Sequence, residues 1–96
     1  MIYDVPSYVG RVKDRRYTDV EAELIGSGFR IEKSITLRQS GNRKLRFLAG
    51  HHENTIAVDI VHKWEVDQYG IGRPGTIVSA ALSTGRKSFK EKYNDR

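Results

Sequence analysis

The sequence contains no cysteine among its 96 residues. Disulfide bonds, thiolate nucleophiles and cysteine-ligated zinc clusters are therefore excluded, and nothing in the composition points to an oxidising compartment. No apolar run approaches the roughly 18 residues that a membrane-spanning helix needs, and the first residues lack the profile of a signal peptide. We expect a cytoplasmic protein that makes no contact with a membrane.

Acidic residues are the minority among the charges. The chain has 17 lysines and arginines against 12 aspartates and glutamates, which gives a net charge of +5. A surplus of this sign favours a polyanion or an acidic protein as the partner. Because 38% of the residues are hydrophobic, the chain can bury one modest core, and we predict a single domain over residues 1–96.

Capping signals and hydrophobic spacing predict the first four elements. Thr18 and Glu21 fit a capping box that begins a helix over residues 19–27. Apolar residues on alternate positions then predict strands. The first predicted strand covers residues 29–37. The second follows a turn and contains Leu45 and Phe47, and the third covers residues 55–61.

The two ends of the chain and the segment after the third strand have weaker patterns. Residues 2–12 are predicted to be extended structure or an ordered arm, and not a helix. Residues 63–74 are predicted to form a long loop, and residues 75–82 a second helix. The predicted class is α+β, a two-layer sandwich of helix, three antiparallel strands and helix, with one sheet face left open. Residues 1–17 form an extension, 18–85 the core and 86–96 a charged tail.

The most basic segment is a predicted turn that leads into the second strand. It reads Ser40-Gly41-Asn42-Arg43-Lys44-Leu45-Arg46-Phe47. Its three cations, Arg43, Lys44 and Arg46, could hold the phosphates of RNA, and Trp64 in the next loop could stack on an unpaired base. The alternative interpretations are a solvated strand face and an aromatic side chain that completes the core.

Four short motifs, in this order, resemble those of the HicA-type toxins, small ribonucleases that are partners of HicB antitoxins. The first match is Val20, Leu24, Gly28 and Phe29, in and after the first helix, and the second is residues 40–46, which resemble the family's Gly-Ser-His-Arg-Lys-Phe-Arg hairpin. The third is residues 55–62, which resemble the family's Val-Thr-Val-Pro-His segment. The fourth is Gly75-Thr76-Ile77, which resembles the Gly-Thr-Leu that begins the family's second helix. The resemblance implies a double-stranded-RNA-binding-like fold.

The resemblance also implies an activity, namely cleavage of messenger RNA without a metal or other cofactor, which a HicB-like antitoxin blocks. Asn42 stands where the family has its catalytic histidine, and its amide has no proton equilibrium near neutral pH. We therefore expect impaired cleavage, with Arg43, Lys44 and Arg46 holding the scissile phosphate. His62, or the histidines at 51 and 52, could replace the missing base.

Two other interpretations stay open at this stage, and a third is considered and rejected. The first is a non-catalytic RNA-binding module that uses the same cations, and the second is an interaction protein, such as a phage-encoded inhibitor, that meets an acidic protein. The third is a metal site built from His51, His52, Glu53 and His62. Adjacent histidines point to opposite sides of an extended chain, and the spacing fits no known metal site, so we predict none.

Overall fold

A computed structural model describes residues 2–51 and 54–84. Two helices precede a sheet of four antiparallel strands whose spatial order is β1-β2-β3-β4. The elements are α1 Val5–Val9, α2 Tyr17–Gly26, β1 Arg30–Thr36, β2 Arg43–Ala49, β3 Ile56–Val66 and β4 Gly72–Thr84. The α+β class is confirmed. Within the described ranges, neither helix has the length and hydrophobicity to cross a membrane.

The core lies between α2 and one face of the two central strands. Alternate residues of β2 and β3 point towards the helices, as strand geometry requires, and they meet apolar side chains of α2. The fully buried members of this cluster are Val20, Leu24, Phe47, Val58 and Ile60. The helix and the three strands predicted for residues 19–61 are therefore confirmed, with shifts of a few residues at their ends.

The start of α2 differs from the predicted capping box. Arg16 is the N-cap residue and makes no side-chain capping bond. The Glu21 carboxylate instead accepts a hydrogen bond from the Tyr17 hydroxyl at 2.7 Å. The helix begins at Tyr17, so the Thr18 hydroxyl lies inside the first turn, where it cannot cap the helix.

Residues 2–12 contain a helix, so the prediction of extended structure there is wrong. The Asp4 carboxylate caps α1 by accepting from the Ser7 amide at 3.2 Å, and Pro6 lies in the first turn, where its missing N–H costs nothing. Tyr8 and Val12 are buried in the same core as α2. The segment before α2 therefore contributes to the core.

The second predicted helix, over residues 75–82, is wrong as well, because this segment lies within β4 and pairs with β3. The β-branched Thr76, Ile77 and Val78 favour a strand. Pairing with β3, which has the strongest strand pattern of the chain, outweighs the helix propensity of the alanines that follow. The observed order is thus two helices and then four strands, in place of helix, three strands and helix.

The predicted loop over residues 63–74 is also wrong, since β3 continues to Val66 and β4 begins at Gly72. Only a tight turn joins them. Its Asp67 carboxylate accepts from the amides of Tyr69 and Ile71 at 2.9 and 3.0 Å. Trp64, which was expected in a loop, is therefore held on a strand of a long hairpin.

The linker between the two helices pairs with β4. The Asp14 amide donates to the Ile77 carbonyl and the Ile77 amide donates to the Arg15 carbonyl, each at 2.8 Å. Arg16 and Thr76 form an isolated bridge beside them. These bonds attach both helices to the β4 side of the sheet.

The sheet face opposite the helices was expected to be open, and this is wrong at its centre. Leu48 and Ala57 lie on that face and are 2% and 0% exposed. Arg46, on the same face of β2, reaches across to Asp59 of β3.

Two glycines with positive φ provide a matched test of the β2–β3 connection. Gly50 has φ +91°, and an added Cβ would lie 2.3 Å from the Asn54 carbonyl oxygen, whereas Gly70 has φ +82° and open space around that position. Gly70→Ala should cost about 1–2 kcal/mol of unfolding free energy through backbone strain. Gly50→Ala should cost about 1–3 kcal/mol more because backbone must also move. Urea unfolding measures both, and equal losses would contradict the close approach.

Candidate nucleic-acid interface

The turn between β1 and β2 positions the basic hairpin. The Leu37 amide donates to the Asn42 carbonyl and the Gly41 amide donates to the Leu37 carbonyl, each at 2.8 Å. Gly41 has φ +77°, a conformation that glycine adopts without cost. The Asn42 amide donates to the Ser40 hydroxyl at 3.2 Å. Asn42 thus ends the turn, and Arg43 is the first residue of β2.

Strand alternation divides the three predicted phosphate-binding cations between the two faces of the sheet. Arg43 shares a face with Leu45, which packs into the core beneath the helices. Lys44 and Arg46 point to the opposite face and are 6% and 4% exposed. The structure therefore does not bring the three cations together around one phosphate.

Arg46 is engaged by a carboxylate of the neighbouring strand. Its Nε and Nη2 donate to the two oxygens of Asp59 at 2.7 and 2.8 Å. This hydrogen-bonded pair raises the pKa of Arg46. A guanidinium that is buried and bound at two points cannot leave for a ligand without stranding the partner carboxylate. Arg46 stabilises the pairing of β2 with β3.

We call the surface formed by Asn42, Arg43 and Trp64 the hairpin-end surface. The guanidinium carbon of Arg43 lies 4.3 Å from the centroid of the Trp64 ring, a cation–π geometry, and its Nη1 donates to the Gly41 carbonyl at 3.2 Å. Trp64 also contacts Gly72, where an added Cβ would lie 2.4 Å from the indole Nε1. The indole therefore packs closely against Gly72, and Trp64 retains 36% exposure.

His62 lies beneath this surface. It is the register partner of Arg43, and its ring stacks on Tyr17 with the centroids 4.0 Å apart. Its Nδ1 lies 2.8 Å from the Lys63 carbonyl oxygen, so the geometry assigns the proton to Nδ1. Burial lowers the pKa of His62, and the charge of Arg43 lowers it further, against the opposing effects of the Lys63 carbonyl and Glu21. His62 is therefore neutral at pH 7.

The hairpin-end surface has to be interpreted from its own chemistry. No protein-family model, curated protein or solved structure matches this chain. The resemblance to HicA-type toxins, and with it the RNA and antitoxin partners, stays a prediction that rests on sequence motifs. The geometry groups Asn42, Arg43 and Trp64 at one end of the hairpin, with His62 buried beneath them.

Tyr17 and Asp59 are the main contributors that sequence reasoning missed. Burial raises the pKa of Tyr17, as does the hydrogen bond to Glu21, so its hydroxyl stays protonated and its ring supports His62. Asp59 neutralises Arg46 across the strand pair. Each residue becomes important through strand register or helix docking, and neither carries a local sequence signal of that role.

The basic residues before α2 are also partly engaged. Arg15 binds the two Glu23 oxygens at 2.9 and 2.8 Å, and the Tyr8 hydroxyl donates to the same carboxylate. The Arg15 hydrogen bond lowers the pKa of Glu23 to about 2, with Tyr8 adding to the effect. This network joins α1 to α2.

A metal site finds no support in the described ranges. They contain no group of three histidine, aspartate or glutamate side chains close enough to share an ion. His51 is exposed on the β2–β3 connection. His52 and Glu53, which belong to the metal alternative, lie outside the described residues.

The burial of His62 predicts a pH dependence of stability. The pKa of His62 in the folded chain lies below the ordinary value of 6.5. As the pH falls, the unfolded chain therefore binds a proton at His62 before the folded chain does. The unfolding free energy should be constant above about pH 7 and should fall as the pH drops through 6.5, by at most about 1.4 kcal/mol per pH unit for one proton.

Urea unfolding between pH 7.5 and 5.5 measures this fall, and His62→Phe is the matched control. Phenylalanine retains a ring against Tyr17 but cannot bind a proton, so the variant should show little change over the same interval. An equal fall in the wild type and in His62→Phe would assign the effect to other groups.

Proposed function

We propose that this protein binds RNA through the hairpin-end surface without cleaving it. The observation that carries the proposal is the position of the Arg43 guanidinium over the ring of the partly exposed Trp64, with its carbon 4.3 Å from the ring centroid. A stacked guanidinium keeps its in-plane N–H groups for a phosphate and loses little freedom on binding. The surplus of positive charge, +5 for the whole chain, favours the same class of partner.

Cleavage needs a proton acceptor that reaches the 2′-hydroxyl of the RNA. Asn42 is near the surface but does not titrate. His62 can accept a proton, yet it is 2% exposed and covered by Tyr17. An RNA strand can reach Asn42, which cannot accept the proton, but it cannot reach His62, which can.

The proposal rests on surface chemistry and takes no support from fold likeness. The double-stranded-RNA-binding-like arrangement implied by the resemblance ends in a helix, and this chain has β4 at that point. A β-sheet with a cation and an aromatic at one end suits a single strand, whose phosphates and bases are both accessible.

Arg43→Gln tests the proposal through the salt dependence of binding. A single-stranded RNA oligonucleotide should bind the wild type with an affinity that falls as salt rises. Loss of one phosphate contact should weaken binding and reduce the slope of log affinity against log salt by about 0.7. Fluorescence anisotropy across a salt series measures both quantities.

The matched control is Arg30→Gln, which removes an exposed positive charge from β1. A specific contact predicts a larger effect at Arg43 than at Arg30. Equal effects of the two variants would indicate general charge attraction only. Purification with a bound acidic protein and no RNA binding would instead favour the interaction-protein alternative.

A HicA-like toxin, blocked by a HicB-like antitoxin, is the second candidate. The observation that favours it is the pairing of His62 with Arg43 across β2 and β3, because an imidazole can act as a general base and a guanidinium can stabilise the charge that develops on the phosphate. For this activity, local opening at Tyr17 would have to expose His62 to the substrate.

Asn42→His separates the two candidates. If position 42 is the base position, this variant should cleave RNA in the presence of a chelator at least about 100-fold faster than the wild type, as measured on a labelled oligonucleotide. His62→Gln in the same background reports whether His62 contributes. Absence of cleavage in all variants, with RNA binding retained, would exclude the toxin assignment.

A further inference from the structure

A concave site lies where the start of α2 meets the β3–β4 hairpin. It is a cleft of about 420 Å³, and its lining includes Arg16, Thr18, Glu65, Arg73 and Gly75. This volume is within the roughly 300–1,000 Å³ range of small-molecule sites. None of these residues belongs to the hairpin-end surface, so the cleft requires its own explanation.

Three separate features of the fold build the cleft. The bridge between Arg16 and Thr76 brings the start of α2 to β4, and the register of β3 and β4 places Arg73 opposite Glu65. Gly75 is buried, and an added Cβ there would lie 2.9 Å from the Glu65 Oε2. The Glu65 carboxylate therefore lies close over the backbone of β4 and forms a wall of the cleft.

The cleft carries two cations, Arg16 and Arg73, and one carboxylate, Glu65, so its net charge is positive. Within residues 2–51 and 54–84, neither Arg16 nor Arg73 makes an ion pair within 4.0 Å. Both side chains are exposed, and they come from elements far apart in sequence. Two arginines in the lining of one cleft can supply the planar, multidentate hydrogen bonds that a phosphate accepts, and the Thr18 hydroxyl adds a further donor.

We propose that this cleft binds the phosphate of a nucleotide. Arg16 and Arg73 hold the phosphate, while Glu65 accepts hydrogen bonds from the hydroxyl or amino groups of the attached nucleoside. A carboxylate within an anion site disfavours bare phosphate and favours a phosphate ester that brings its own donors. The nucleotide is either free or the phosphorylated end of a strand.

The cleft and the hairpin-end surface are independent sites. Trp64 and Glu65 are neighbours in β3, so their side chains point to opposite faces of the β3–β4 hairpin. Arg73, the partner of Glu65, lies on the same side as Glu65. Nucleotide binding in the cleft therefore does not require RNA binding at Arg43, and each can fail without the other.

The test is a titration of the full chain, followed by the amide NMR shifts of Thr18, Gly75 and Thr76. The probes are inorganic phosphate, adenosine 5′-monophosphate and guanosine 5′-monophosphate. At least one nucleotide should give saturable shifts and bind about tenfold more tightly than inorganic phosphate, a ratio that one or two additional hydrogen bonds supply. Absence of saturable shifts with every probe would overturn the proposal.

Three variants locate the interaction. Arg73→Gln should weaken nucleotide binding about tenfold or more, whereas the remote Arg30→Gln should leave it unchanged. Glu65→Ala should bring the affinities for nucleotide and phosphate close together. Equal weakening by Arg73→Gln and Arg30→Gln, or an unchanged ratio in Glu65→Ala, would contradict the assigned contacts, provided that each variant unfolds at the wild-type urea concentration.

Two oligonucleotides distinguish a free nucleotide from a strand end. A short RNA with a 5′-phosphate and the same RNA with a 5′-hydroxyl are compared in the Arg43→Gln background, so that the hairpin-end surface contributes little. Preference for the phosphorylated strand in this background assigns a strand end as the ligand. Equal binding of the two strands, with mononucleotide binding retained, assigns a free nucleotide.

Discussion

The pairing of the inter-helix linker with β4 is the contact on which the rest of the structure depends. Two backbone hydrogen bonds of 2.8 Å join Ile77 to Asp14 and Arg15, and Ile77 itself is 1% exposed. Asp14 adopts φ +70°, a conformation that aspartate tolerates better than most residues. This one contact attaches both helices to the sheet, sets Tyr17 over His62, and brings Arg16 to the cleft.

Local patterns predicted the parts of the fold that local forces decide. The alternation in residues 29–61 identified β1, β2 and β3. Alternate residues of β2 and β3 do enter the core, as Phe47, Val58 and Ile60 show, whereas β1 has the alternating sequence without any buried residue. The last strand was missed because Ala80, Ala81 and Leu82 favour a helix, and pairing with β3, a contact distant along the chain, decides otherwise. The missed α1 has a local signal, the Asp4 cap followed by Pro6, within a segment too short for hydrophobic periodicity to show.

The candidate site was predictable as a set of residues but not as an arrangement. The basic hairpin is continuous in sequence, yet a strand turns successive side chains to opposite faces, so Arg43 parts from Lys44 and Arg46. That separation follows from alternation alone. The engagement of Arg46 by Asp59 does not, because only the register of β2 against β3 decides which carboxylate lies within reach.

The physical state of His62 bears on whether this surface binds or cuts. Burial against Tyr17 lowers the pKa of His62, so an uncharged ring lies next to the Arg43 guanidinium. A protonated imidazole there would repel Arg43 and would require desolvation of a second charge. The neutral ring, stacked on Tyr17, instead places no second positive charge opposite Arg43 in the strand pair. His62 therefore belongs to the framework beneath the proposed RNA-binding surface, and the packing against Tyr17 that fixes its ring also keeps the ring away from solvent.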